Sequence, residues 1–70
     1  MTDRSSEIGE HVRARRRALH LKQEELAELA GCSTRFVHTV EAGKPSIRLD
    51  KLLDVLQVLG LRLAVVGPTS

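Results

Sequence analysis

Tryptophan and tyrosine are absent from this sequence, and Phe36 is its one aromatic residue. A β-sandwich or barrel draws its core from aromatic and β-branched side chains. The small core that 70 residues can bury must instead be built from Leu, Val, Ile and Ala, which suits packed helices. Cys32 is the single cysteine, so an intrachain disulfide is excluded and a reducing cytosol is the expected setting. No apolar run is long enough for a signal peptide or a membrane span, and the opening Met1-Thr2-Asp3-Arg4 is polar; a cytoplasmic protein with no membrane partner is expected. His11, His20 and His38 share no metal-ligand spacing, with one another or with Cys32. There is no Gly-rich phosphate loop and no nucleophile motif. Neither an enzyme nor a metal or cofactor site is expected.

What is present is unevenly spread charge. Between Arg13 and Arg48 lie eight basic and four acidic residues, against three basic and five acidic outside. A basic middle fits a polyanionic partner, although a salt-bridged solvated surface would show the same count. A chain this short also sits near the lower limit for folding alone, where a second copy often supplies buried surface.

Helical spacing divides the chain. Ser5 and Ser6 offer a cap, Glu7 and Glu10 suit a positive helix start, and Ile8, Val12 and Leu19 share a face, with Ala18 beside them; a first helix is expected from about Ser6 to Leu19. A second, Lys22 to Ala30, has an acidic first turn and an inner side of Leu26, Ala27, Leu29 and Ala30, and Gly31 ends it. Ser33 caps a third, Thr34 to Glu41, with Val37 and Val40 inward. Leu49, Leu52, Leu53, Leu56 and Leu59 form the stripe of a fourth, widened by Val55 and Val58 and stopped by Gly60. The period then changes. Leu61, Leu63 and Val65 alternate with Arg62, Ala64 and Val66 as a strand would. No other strand exists to pair with it, so the same strand of a second copy is the expected partner; a frayed tail is the alternative. The domain plan is a flexible N-terminus at 1–5, a helical domain at 6–60, a dimerisation strand at 61–66 and a tail at 67–70.

Two short helices joined by a turn with Gly31, the second capped by Ser33, make a helix-turn-helix. Ala27 is small enough for the helices to cross closely, and Val37 and Val40 fill the angle between them. The stretch Gln23-Glu24-Glu25-Leu26-Ala27, through Gly31, to Glu41-Ala42-Gly43-Lys44-Pro45 resembles the phage-repressor-like (Xre) helix-turn-helix family. The continuation from Ile47-Arg48-Leu49 to Leu59-Gly60-Leu61, followed by a strand, is similar to that family's HipB antitoxin branch.

The resemblance, spanning about residues 6 to 66, implies a mainly α, lambda-repressor-like domain of four helices with a C-terminal β-strand pairing across a homodimer. It implies a sequence-specific transcriptional repressor on a palindromic DNA operator. By position, Thr34, Arg35, His38 and Thr39 would face the bases; an arginine pairs in bidentate fashion with guanine, and threonine contacts several bases. Gln23, Ser33 and Lys44 match phosphate-holding positions, Arg13 and Arg17 are further phosphate candidates, and Arg16 would brace Glu41. Phe36 either packs locally or touches sugar or a thymine methyl; packing is preferred. Lys22 replaces the usual Ser or Thr cap. The HipB likeness adds an antitoxin role with a HipA-like serine/threonine kinase toxin as partner. The alternatives are a stand-alone regulator of the same family and a protein-binding module that has lost DNA.

Overall fold

The computed structural model describes residues 4–68 and contains four helices among them: α1 (Arg4–Ala18), α2 (Gln23–Ala30), α3 (Thr34–Glu41) and α4 (Leu49–Val58). The bounds of α3 coincide with the expected ones. Those of α2 and α4 differ by one residue at one end, within the ordinary ambiguity of helix termini. α1 begins at Arg4 rather than Ser6, so the helix takes in Arg4 and Ser5 of the expected N-terminal segment. Residues 1–3 and 69–70, where the remainder of that N-terminus and half of the expected tail fall, lie outside the described residues.

Each helix end has a local cause. α1 stops at Ala18 because His20 takes a left-handed conformation (φ 58°), and the Leu21 N–H reaches back to the Arg16 carbonyl at 3.1 Å. This backbone closure satisfies carbonyls that the helix end leaves open. Gly31 (φ 72°) does the same for α2, with the Cys32 N–H on the Ala27 carbonyl at 2.9 Å. At the start of α2, Lys22 offers no side-chain cap, since an ammonium has no acceptor. Glu25 Oε1 instead accepts the Lys22 N–H at 2.8 Å, which supplies the reciprocal half of a capping box. Ser33 Oγ accepts the Phe36 N–H at 3.0 Å and caps α3.

The core is wholly apolar: Val12 of α1, Leu26 and Ala27 of α2, Val37 and Val40 of α3, and Leu52, Val55, Leu56 and Leu59 of the α4 region. Phe36 and Cys32 are half-buried against it. α3 packs on α1 and α2, and α4 packs on α2.

Three features depart from the expected pattern. The buried stripe of α4 is Leu52, Val55, Leu56 and Leu59, with Val55 at its centre, while Leu49 and Leu53 are exposed. The broad leucine stripe is therefore only partly used. Leu29 and Leu19 are exposed as well. Leu29 turns away from the side carrying Leu26 and Ala27, and Leu19 falls beyond the end of α1. The expected strand at Leu61, Leu63 and Val65 does not form in the single chain, where residues 61–68 have no helix or strand. A ladder needs a neighbour, and none of the described residues supplies one.

One determinant of the fold comes from a position that carries no side chain. A Cβ on Gly9 would stand 2.5 Å from the Val40 carbonyl oxygen and 2.9 Å from that of Glu41. α1 therefore crosses the end of α3 backbone against backbone.

Candidate nucleic-acid interface

α3 presents opposite faces to opposite environments. Val37 and Val40 are buried, while Thr34, Arg35 and His38 are exposed and Thr39 is half-exposed on the far side. Arg35 and His38 thus stand on a ridge pointing away from the core. The Thr39 hydroxyl donates to the Arg35 carbonyl at 2.8 Å. Its proton is engaged in the helix, which leaves an oxygen lone pair and the methyl group for contacts outside.

On one flank of α3, Arg13, Arg16, Gln23, His38, Glu41 and Ala42 line a cleft of about 180 Å³. Its floor is a polar cluster. Arg16 Nε donates to Glu41 Oε2 at 2.6 Å and Arg16 Nη2 to Oε1 at 3.0 Å. Arg16 Nη1 donates to the Leu21 carbonyl at 2.8 Å, and Gln23 Nε2 to Glu41 Oε1 at 3.1 Å. Both side chains of the ion pair are nearly covered, at 11% exposure for Arg16 and 5% for Glu41. Burial pushes the Glu41 carboxyl up, but the hydrogen bonds from Arg16 and Gln23 and the charges of Arg16 and Arg13 outweigh it and hold the group below the usual carboxylate value. The hydrogen bond to Glu41 raises the Arg16 guanidinium against the opposing cost of burial. Arg16 and Glu41 therefore tie α1 to the end of α3. The Gln23 side chain, expected at a phosphate, belongs to that tie.

Arg13 lies on this cleft and Arg17 is exposed but does not line it. Ser33 and Lys44 are exposed at the two ends of α3, with the Ser33 oxygen already serving as the cap.

The other flank brings in two cations, Arg48 and Lys51, to which sequence reasoning gave no role. Cys32, Ser33, Phe36, Thr39, Arg48 and Lys51 are among the residues that line a cleft of about 500 Å³ between α3 and the start of α4. Arg48 pairs with Asp50 at 2.7 Å, both largely in water, an arrangement that contributes little stability. The basic count ending at Arg48 was the available signal; the position of Lys51 beside α3 depends on how α4 packs. Burial pushes the Cys32 thiol up, with Lys51 opposing and Asp54 adding to the shift. It stays protonated at neutral pH, a poor nucleophile.

Arg15 also acquires a role. Its Nε donates to the Leu59 carbonyl at 2.8 Å, joining the last turn of α1 to the end of α4.

The sequence matches the family described as a helix-turn-helix domain over residues 7–66. The chain belongs to this helix-turn-helix family. It is also similar to an uncharacterized HTH-type transcriptional regulator, y4mF, of Sinorhizobium fredii (strain NBRC 101917 / NGR234), with 43% identity over 63 residues, covering 90% of this chain and 83% of the relative. In family terms α2 and α3 are the paired helices, and the exposed ridge lies on the second of them. No helix among the described residues is long and apolar enough to cross a membrane.

Proposed function

We propose that this helix-turn-helix protein is a sequence-specific DNA-binding transcriptional repressor that acts as a homodimer on a palindromic operator. The observation that carries the reading is the polar outer ridge of α3, set between two clefts that each hold cationic side chains. A helix entering the major groove meets base edges along its ridge and a phosphate strand on either side. Arg35 reads guanine, Thr34 and His38 contact neighbouring bases, and Thr39 offers its methyl to a thymine. Arg13, Arg17, Ser33, Lys44 and the amide of Gln23 hold phosphates, with Arg48 and Lys51 on the second strand. The name of the y4mF relative supports a regulatory role.

Two such units bind half-sites about one helical turn, roughly 34 Å, apart when segment 61–66 pairs as a strand with its copy in a dimer. Occupying a promoter in this way blocks transcription. Selection of bound duplexes from a random pool tests the reading: a two-fold symmetric site is expected, and recovery of unenriched sequence would overturn it.

A second role as a HipB-like antitoxin rests on the resemblance in Ile47–Leu61 and on the exposed Leu29, Leu49 and Leu53, apolar surface of the kind that protein partners cover. Excess chain is then expected to bind and silence a HipA-like serine/threonine kinase encoded beside it. A kinase left fully active would leave the stand-alone regulator.

A further inference from the structure

Six hydroxyl side chains lie among the described residues: Ser5, Ser6, Ser33, Thr34, Thr39 and Ser46. Five of them are committed to a helix: Ser5 and Ser6 within α1, Thr34 and Thr39 within α3, and Ser33 as the cap of α3. Ser46 is the exception. It is exposed in the segment 44–48, which has neither helix nor strand, and its hydroxyl makes no hydrogen bond among the described residues. It also lines the cleft of about 500 Å³ together with Arg48 and Lys51, on the flank proposed to hold the second DNA strand. Resting on that DNA-binding reading, we infer that Ser46 is a phosphorylation site whose phosphate occupies this flank and releases the operator.

The co-reactants are a nucleoside triphosphate and a serine/threonine kinase acting in trans. The Ser46 Oγ attacks the γ-phosphorus, a new O–P bond forms, and the bond from that phosphorus to the β–γ bridging oxygen breaks. The nucleoside diphosphate leaves, and the hydroxyl proton passes to the base of the kinase. A kinase must draw the acceptor and its neighbours into its own cleft. An exposed irregular segment permits this, whereas a hydroxyl within a helix requires that helix to open first. Pro45, beside the acceptor, has no N–H for a helix to use.

Charge sets the consequence. A phosphoserine brings about −1.5 to −2 charges at neutral pH and three strong acceptor oxygens. The cleft sets Arg48 and Lys51 against it, and Asp50 already answers Arg48 at 2.7 Å. The added charge therefore outweighs what this flank has left to offer a DNA strand. Arg48 binds Asp50 through Nε and Nη2, which leaves the Nη1 N–H groups for a phosphate oxygen. A phosphate two residues from Arg48 competes from within the chain, while the DNA strand must arrive from solution.

Two measurements test the inference. Peptide mass spectrometry of the chain isolated from its own cells, growing and starved, is expected to find phosphate on Ser46. Phosphate only on other residues, or on none, overturns the site. Phosphoserine installed at position 46 during translation then tests the switch on the selected operator duplex. Affinity is expected to fall at least tenfold with the melting temperature unchanged. The slope of log affinity against log salt is expected to fall by about 1.8, the share of two cations. Equal affinity with and without the phosphate, or a loss that follows a lowered melting temperature, overturns the switch. An unmodified chain that binds no duplex overturns the DNA-binding reading and takes the switch with it.

Discussion

Arg16 meets Glu41 with two donors of its guanidinium, across 25 residues of sequence, and in doing so fixes the end of α3 to α1. Removing one partner of a covered pair strands the other charge away from water. Glu41→Gln is therefore expected to cost about 3 kcal/mol, the lower end of the range for breaking a buried pair. Urea denaturation at pH 7 checks it.

The same pair has a pH signature. Glu41 titrates below its ordinary value in the folded chain, so its contribution is complete above the unfolded carboxylate pKa of about 4.3 and is lost as pH falls through the lower folded value. The stability gap between wild type and Glu41→Gln is expected to hold from neutrality to near pH 4.3 and to shrink below it. A gap that grew on acidification would contradict this sign.

Gly9→Ala sets two effects against each other. Alanine gains up to about 1 kcal/mol of helix propensity over glycine. Its methyl would meet the Val40 carbonyl oxygen at 2.5 Å, and overpacking of this kind costs about 3 kcal/mol at the upper end of its usual range. A net loss of about 2 kcal/mol is expected in thermal or urea unfolding.

Arg35→Ala should leave folding unchanged, since the exposed Arg35 side chain makes no hydrogen bond or ion pair among the described residues. It is expected to lose about 1–3 kcal/mol of discrimination at one base pair of the operator. Binding measured on a panel of single-base operator variants shows which position relaxes; equal preferences before and after would remove Arg35 from readout.

Lys51→Gln and Arg13→Gln test the two flanks. Each is expected to weaken binding to all sequences alike and to reduce the slope of log affinity against log salt by about 0.9. A variant with an unaltered slope marks a cation that meets no phosphate.

Much of this architecture is legible from residue order. Gly31 and Ser33 mark the turn between α2 and α3, and Val37 and Val40 mark the inner face of α3, because caps and short helical periods are local signals. Gly9 escaped notice: its role depends on a backbone 31 residues away. The leucines were overread. Leu29, Leu49 and Leu53 match a helical stripe, but the arc that a helix buries is set by its neighbours, and here α4 turns Val55 inward. Arg15 and Lys51 acquire neighbours only through the packing of α4, which no spacing within α1 or α4 announces. Segment 61–66 keeps the alternation of a strand without forming one, because pairing is a property of two segments and the described residues offer one.

Thr34, Arg35 and His38 hold nothing together inside the molecule, while the bracing of α3 is delegated to Arg16, Glu41 and the bare Cα of Gly9. On the proposed reading, a duplicated gene acquires a new target through changes in a few codons, with little penalty to its scaffold. Paralogues should diverge fastest on this ridge, and exchanging those side chains between them should exchange their regulons.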